Sequence, residues 1–478
     1  MEFFLSIVFI PSFKQSFLTF LAIILTIGIG LFWLQVNLHS LMLICLLIAG
    51  INAWHLSKSG FKPIREAMNE GVKAALPAIY IFILIGVLIA TFIQSGTVAV
   101  LIYYGLELIS PVFFLPAGLI LCSFMSVATG TSWGTVGTIG VVLMGIGGAM
   151  EIPLPIIAGM VVSGACFGDK MSPMSDTTNL AAMSSRTNLF SHIQSMLLTT
   201  GPSYLIVLII FTILGFEYKS NYLPQEDLDI MLGAISNIFS INFFCLLPFF
   251  LMLIMSLRRV SAEVAMISAS VFAVIIAIFT QGANFNDVLN SLHSGGSFNT
   301  GIETLDQLFS RGGILSMMWT LSLALLALAL GGILNSFGFL KVLLAEILCR
   351  VKGAISLVTS TILACFFGNM AMGDAYMSII LGGQLFADAY DRLNINRSVM
   401  SRSLEEGATL TTVLIPWTTG GAFFAASLGV DVLSYAPWAL LNWLNPLVSI
   451  GLMYCGTIFF QNNPFCPISE EVRMSSND

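Results

Sequence analysis

One short stretch of an otherwise apolar region carries charge, and it spans residues 164–183 with the sequence GACFGDKMSPMSDTTNLAAM. It contains Asp169, Lys170 and Asp176, whereas residues 152–168 contain no charged side chain. A carboxylate in the hydrocarbon layer of a membrane is tolerated mainly where it faces a cavity, a partner or an ion. These acids are therefore candidates to bind a cation or a proton.

The same stretch is a poor continuous helix. Gly168 and Pro173 interrupt helical structure, and the side chains of Ser172 and Ser175 favour caps and turns. We therefore predict a broken membrane span over about residues 155–185.

The composition requires a membrane environment. The chain has 478 residues, of which 57% are hydrophobic and 9% are charged, whereas about 25% of the residues of soluble proteins are charged. Its charge-free windows are each about one to two times the roughly 20 residues that a spanning helix needs. The composition predicts an all-α polytopic membrane protein with about 10 transmembrane helices and two re-entrant hairpins, or with 12 or more spans.

The charges of the loops predict the orientation of the chain. Lys and Arg cluster in residues 58–73 and 392–402, and loops rich in these residues face the cytoplasm. The acidic segment 217–229 and the polar segment 282–311 suit the outer side. This pattern predicts that both termini are cytoplasmic.

Two pairs of apolar arms are joined by polar tips. The arms 111–128 and 136–150 flank the tip GTSWGT and are about 15 to 18 residues long, which is short for a span. We predict a re-entrant hairpin over about 111–150 and a second over about 354–389. Such a hairpin needs a tip that is buried in protein or lines a cavity. If each hairpin were instead two full spans, the orientation of all other segments would be the same.

The chain repeats itself at a spacing of 243 residues, which aligns Phe124 with Phe367, Gly130 with Gly373, Gly164 with Gly407 and Pro173 with Pro416. The loop charges orient the two copies oppositely, and inverted repeats with broken helices are typical of secondary transporters. We predict a first repeat over 1–217, a periplasmic connector over 218–237, a second repeat over 238–461 with a broken span over 404–430, and a cytoplasmic tail over 462–478.

The breaks and tips are rich in oxygen ligands of the kind that a Na⁺ ion prefers. The candidates are Asp169, Ser172, Asp176, Thr177 and Asn179 in the first break, Thr131, Ser132 and Thr135 at the first tip, Asn369 and Asp374 at the second tip, and Thr418 and Thr419 in the second break. A buried carboxylate can bind either H⁺ or Na⁺ near neutral pH, and this competition would produce exchange.

Structural roles compete with these functional ones. Asp176 can act only as the cap of a following helix, and Asp169 with Lys170 can form a buried ion pair. Glu405 and Glu406 lie beside the Arg-rich loop, which favours a charged turn at the membrane surface.

The segment FGDKMSPMSDTTNLAA, preceded by ATGTSWGTVGTIG, resembles the NhaC family of Na⁺/H⁺ antiporters, within the larger ion transporter superfamily. A weaker match covers FFGNMAMGDAY and IPWTTGG. The resemblance implies Na⁺/H⁺ exchange at the bacterial inner membrane, with Asp169, Asp176 and Asp374 as ion and proton carriers. No cofactor is implied beyond the transported ions. The superfamily includes dimeric carriers with two re-entrant hairpins, which implies a homodimer by analogy.

The resemblance leaves a second substrate class open, because NhaC-like proteins include malate/lactate exchangers coupled to H⁺ and Na⁺. An organic-anion site needs a cation or helix N-termini, and Lys170 is the charge available at the first break. Titratable acids on broken repeats fit a transporter that works by alternating access better than an uncoupled channel. An enzyme is not expected, because the metalloprotease pattern HExxH is missing and the four histidines are dispersed. The partners we expect are Na⁺, H⁺, small carboxylates and the lipid bilayer, without nucleic acid.

Overall fold

The computed structural model describes residues 11–57, 60–74, 76–108, 110–218, 225–258, 260–349, 351 and 353–455. All regular secondary structure in this part of the chain is helical. Nine helices in these ranges are long and apolar enough to cross a membrane, or up to eleven spans if each of two bent helix pairs counts as one. The prediction of an all-α polytopic membrane protein is confirmed, whereas the tail 462–478 lies outside the described residues.

The amphipathic helix α3 (Lys62–Ala74) packs chiefly against α17 (Ile314–Ser336), whereas the loop charges predicted a loop at this place. This helix buries Ile64 and Ala67, and its Gly71 is so close to Gly332 that a Cβ atom would lie 2.8 Å from the Cα of Gly332. Its close packing therefore depends on small residues. The five N-terminal helices are α1 (Phe13–Gly28, continued by a π-helical turn Ile29–Trp33), α2 (Leu38–Ser57), α3 (Lys62–Ala74), α4 (Leu76–Gln94) and α5 (Thr97–Leu108).

The next helices contain the first tip and the first break. The backbone leaves the helix at Ser172 and is extended again at Ser175, as expected from Pro173. Ser175 occupies the N-cap position of the next helix, but its side chain makes no cap hydrogen bond. The helices are α6 (Pro111–Thr129), α7 (Ser132–Thr135), a π-helical turn (Val136–Gly140), α8 (Val141–Ala149), α9 (Leu154–Met171), α10 (Asp176–Ser184) and α11 (Leu189–Glu217). The segments from Ser132 to Ala149 form one continuous helical arm.

The second half of the chain starts with helices that lead to the second tip and ends with the second break. The first group is α12 (Gln225–Ile238), a 3₁₀ turn (Phe243–Leu246), α13 (Leu247–Leu257), α14 (Ala262–Thr280), α15 (Phe285–Ser294), α16 (Glu303–Phe309), α17 (Ile314–Ser336) and α18 (Phe339–Cys349). The second group is α19 (Ala354–Met372), α20 (Ala375–Arg392), α21 (Arg397–Gly407), α22 (Thr409–Thr412), α23 (Thr419–Leu428), α24 (Val432–Tyr435), a 3₁₀ turn (Ala436–Trp438) and α25 (Leu440–Cys455).

Helix bounds recur at the spacing found in the sequence. The bounds of α6 and of the arm Ser132–Ala149, moved by 243 residues, are the bounds of α19 and α20, and α10 and α23 begin 243 residues apart. Gly130 and Gly373 end the first arm of each hairpin in the left-handed conformation, with φ of 73° and 69°. Glycine adopts this conformation at little steric cost.

Two buried cores hold the described residues together, each with helices from both halves of the chain, and the two parts of each broken span lie in different cores. Phe423 and Phe424 of α23 pack in the core that contains Phe114 of α6. Ala181 of α10 packs in the core that contains Phe386 of α20. Each broken span therefore packs in both cores.

Candidate functional site

The first break contains a buried carboxylate held by two hydroxyls. Asp169, on the last turn of α9, is 7% exposed. Its Oδ2 accepts a hydrogen bond from Ser132 Oγ at 2.6 Å, and its Oδ1 accepts one from Ser175 Oγ at 2.5 Å. Since Ser132 begins the second arm of the hairpin and Ser175 precedes α10, the carboxylate joins the tip to the break.

Close packing of α6 on α9 places the first tip beside Asp169. A Cβ atom on Gly168 would lie 2.5 Å from the backbone oxygen of Ser123, and one on Gly164 would lie 2.7 Å from that of Leu119. Ser126 Oγ also donates to the backbone oxygen of Ala165 at 2.6 Å. The two glycines thus let α6 approach α9 closely enough to bring the tip to Asp169.

The second tip contains the other candidate carboxylate. Asp374 caps α20 because its Oδ1 accepts from the backbone N–H groups of Tyr376 and Met377 at 2.9 and 3.3 Å. Its Oδ2 accepts from Thr419 Oγ1 at 3.1 Å, and Thr419 N–H donates to the oxygen of Gly373 at 2.8 Å. Asp374 thus joins the second tip to the second break.

Asn369 supports the second tip in the position that corresponds to Ser126. Its Nδ2 donates to the oxygen of Ala408 at 2.7 Å and to Thr411 Oγ1 at 2.9 Å. Ala408 lies 243 residues after Ala165, the acceptor of Ser126. Both hairpins are therefore tied to the adjacent broken span by a side-chain bond at the same place.

The other residues predicted to ligate a cation also lie at the tips and breaks. Most of them form hydrogen bonds with the backbone. Ser172 Oγ donates to the oxygen of Val127, Asn179 Nδ2 to the oxygens of Pro173 and Ser175, and Thr135 Oγ1 to that of Thr131. Thr131 and Thr418 each accept a backbone N–H at a helix start. Asp176 is exposed on the first turn of α10.

The tip also contains Gly130 and Gly134 around Ser132, which is the GxSxG spacing of hydrolase nucleophile elbows. Ser132 Oγ donates to Asp169, and the tip joins two helices rather than a strand and a helix. The geometry does not resemble that of a hydrolase.

A buried charged cluster beside the first break was not predicted. It comprises Lys170, His192, Arg402, Glu405 and Glu406, whose side chains are all fully buried. Glu405 and Glu406 lie inside α21, so the prediction of a charged turn at the membrane surface is wrong. The assignment of Arg402 to a cytoplasmic loop is wrong for the same reason.

Lys170 takes its partners from this cluster rather than from Asp169. Its Nζ lies 3.5 Å from Glu406 Oε1 and donates to Asn445 Oδ1 at 2.6 Å. Glu406 Oε1 also accepts from Thr199 Oγ1 at 2.6 Å and lies 3.8 Å from Arg402 Nε. The alternative that Asp169 and Lys170 form an ion pair is therefore wrong.

Side chains connect the first break to the cluster. Ser175 Oγ lies 3.1 Å from Thr177 Oγ1, which is 3.0 Å from Glu405 Oε1. Together with the bond from Ser175 to Asp169, these contacts link the two carboxylates through two hydroxyls. The sequence offered one indication that α21 is buried. Its small residues, such as Ser403 and Gly407, permit close packing inside membranes.

Both breaks face a common region. The side chain of Tyr376, two residues after Asp374 in the second tip, lies near Asp169, Asp176, Asp374 and Glu405. In the described ranges, no group of three or more His, Cys, Asp or Glu side chains is arranged to hold a metal ion. A cation at either break would therefore depend on hydroxyl and backbone oxygens in addition to a carboxylate.

Comparison with known proteins decides the family. The model of the Na⁺/H⁺ antiporter family matches residues 3–165 and 164–457. The chain belongs to this family. Members of the family with similar sequences include the Na⁺/H⁺ antiporter NhaC of Alkalihalophilus pseudofirmus, which is 39% identical over 91% of this chain and 93% of its own length.

Other relatives bear different names. The malate-2H⁺/Na⁺-lactate antiporter of Bacillus subtilis is 38% identical over 82% of this chain and 83% of its own length. The NhaC Na⁺/H⁺ antiporter of the same organism is 35% identical over 88% of this chain and 93% of its own length. The family therefore includes antiporters with and without organic substrates in their names.

Proposed function

We propose that the chain is a secondary active transporter that exchanges cytoplasmic Na⁺ for external H⁺ by alternating access. The observation that carries the proposal is the buried Asp169 carboxylate, which joins Ser132 of the tip to Ser175 of the break. A carboxylate, two hydroxyls and the unwound backbone form a set of hard oxygens suited to Na⁺. The family membership and the relatives named Na⁺/H⁺ antiporter support the same function.

The first break and the second tip supply the carboxylates of the proposed mechanism. Na⁺ binds at Asp169 with the hydroxyls of Ser132 and Ser175, and Asp374 with Thr419 serves the second break. Asp176, exposed in this structure, acts at the mouth of the first break. The hydroxyls between Asp169 and Glu405 offer a proton a route to the buried charged cluster.

The proposed architecture consists of two inverted repeats in the bacterial inner membrane, with cytoplasmic termini. The equal spacing of helix bounds and the placement of the two parts of each broken span in different cores support the duplication. Of the residues in the arm Ser132–Ala149, 83% are buried inside the protein. A re-entrant hairpin requires such enclosure. By analogy with dimeric carriers of the superfamily we also propose a homodimer, which cross-linking in native membranes would detect.

The alternative is a Na⁺- and H⁺-coupled exchanger of organic anions, which the malate/lactate relative supports. An anion at the first break would need a free cation, and Lys170 is already bonded to Glu406 and Asn445. The arrangement at the breaks therefore favours a cation as the ligand there.

The decisive experiment uses the full chain in liposomes with an internal pH dye and an imposed proton gradient. If the proposal is correct, NaCl alone dissipates the gradient, KCl does not, and the variant Asp169→Asn does not respond. If Na⁺ acts only in the presence of malate, the organic-anion exchanger replaces the Na⁺/H⁺ antiporter.

A further inference from the structure

A cavity lies away from both tips, at the end of α23 that is remote from the break. Its volume is about 560 Å³, and it lies between α17, α23 and the segment that precedes α17. Binding pockets for small molecules are about 300–1,000 Å³. The cavity is therefore large enough for a small organic ligand.

Arg311 places a cation in this cavity. Its Nη2 donates to the backbone oxygen of Leu428 at 2.6 Å, which caps the C-terminus of α23. This bond uses one of the five N–H groups of the guanidinium. No ion pair of Arg311 is found within the described ranges, and Asp431, the other charged residue of the lining, is exposed at the rim.

The backbone around Arg311 is held firmly. Gly312 and Gly313 both have positive φ, of 85° and 79°, and the N–H of Gly313 donates to the oxygen of Gly86 at 2.7 Å. The Nη2 end of the guanidinium abuts Gly429, where a Cβ atom would be 1.2 Å from Nη2. Burial lowers the pKa of Arg311, but a guanidinium remains protonated under all ordinary conditions.

A second polar group in the cavity has no hydrogen-bond partner among the described residues. Ser427 is 1% exposed and lines the cavity, and its Oγ makes no hydrogen bond to the described residues. A buried hydroxyl without a partner is costly. The rest of the wall combines apolar side chains, among them Ile89, Val141 and Met317, with hydroxyl side chains, among them Ser294, Ser316 and Thr320.

We propose that this cavity binds a small monocarboxylate with an apolar body, held by the guanidinium of Arg311 and the hydroxyl of Ser427. The planar guanidinium matches a carboxylate with two parallel hydrogen bonds. One cation suits one carboxylate, and the apolar part of the wall accommodates a short hydrocarbon tail. The site does not depend on the proposed Na⁺/H⁺ exchange, because it shares no residue with the two breaks.

The test measures binding of butyrate to the full chain in lipid nanodiscs by isothermal titration calorimetry, in potassium buffer without Na⁺. We expect butyrate to bind and chloride not to bind. Arg311→Gln should weaken butyrate binding by at least about tenfold, and Ser427→Ala by about threefold. Because Arg311 also caps α23, the Ser427→Ala variant provides the test if Arg311→Gln fails to fold.

Two control variants separate this site from the rest of the protein. Arg258→Gln removes the same charge from an exposed position, and Asp169→Asn changes the first break, and both should bind butyrate as the unaltered protein does. Loss of binding in Asp169→Asn, equal binding of chloride, unchanged binding in both cavity variants, or absence of butyrate binding would each overturn the proposal. A protein that binds butyrate but fails the liposome test contradicts only the proposed Na⁺/H⁺ exchange.

Discussion

The two broken spans make the same contact between tip and break with the chemical roles reversed. In the first, the acid Asp169 is on the broken span and the hydroxyl of Ser132 is on the tip. In the second, the acid Asp374 is on the tip and the hydroxyl of Thr419 is on the broken span. The two halves therefore share a backbone arrangement, but each places its carboxylate at a different position of that arrangement.

The surroundings of the two spans differ more than their backbones do. The positions 243 residues before Glu405 and Glu406 are Val162 and Ser163, so both acids of the buried cluster come from α21, whereas its counterpart α9 contributes only Lys170. The first break is connected to that cluster through Thr177 and Glu405. This asymmetry predicts that the two breaks respond differently to equivalent substitutions.

The largest effect on transport is expected for Asp169→Asn. The amide keeps the shape of the side chain but removes the charge that binds Na⁺, so Na⁺-dependent dissipation of the proton gradient should fall to the background of empty liposomes. Retention of more than half of the exchange rate would show that the first break does not carry the ion.

Asp374→Asn separates the role of the second carboxylate as a cap from its role as an ion ligand. Asparagine caps helices about as well as aspartate does, whereas alanine costs about 1 kcal/mol. We expect Asp374→Asn to lose most of the exchange without a change in thermal unfolding temperature. An active Asp374→Asn would mean that Asp374 is only a cap.

Lys170→Met tests whether the cluster stabilises the first break. Removing one partner of a buried ion pair costs about 3–5 kcal/mol because the other charge stays buried without compensation. We expect a lower unfolding temperature in detergent, and partial recovery in the double variant Lys170→Met with Glu406→Gln. Additive effects of the two substitutions would contradict a direct interaction.

Ser132→Ala and Thr419→Ala compare the two hydroxyls directly. Each removes a hydrogen bond to a carboxylate, which is worth about 1.5–3 kcal/mol. We expect a higher Na⁺ concentration for half-maximal exchange in both variants, with the larger increase for Ser132→Ala, because Asp374 keeps its two backbone N–H donors. The reverse order would place the main ion site at the second break.

The smallest effect is expected for Asp176→Asn. The side chain is exposed, so water already solvates its charge, and we expect about a twofold change in apparent Na⁺ affinity, in line with the small energies of exposed charges. Asp176→Ala is the matched control for its position on the first turn of α10, since it also removes the polar group.

The sequence by itself determined where the helices break and which side chains lie at the breaks. Glycine, proline and serine act on the backbone locally, so Gly130, Pro173 and Gly373 mark the tip and break positions without knowledge of any neighbour. The spacing of 243 residues follows from the same local residues. The position of Asp169, and its place beside the tip, could be anticipated for this reason.

Only the tertiary structure decided which charges are buried and with whom they pair. Arg402, Glu405 and Glu406 resemble a solvated turn in the sequence, because composition reports the chain neighbours and not the helices that pack around α21. Those helices contribute Lys170, His192 and Thr199 from distant parts of the chain. Burial of a charge depends on its three-dimensional surroundings, and for this reason the cluster could not be read from the sequence.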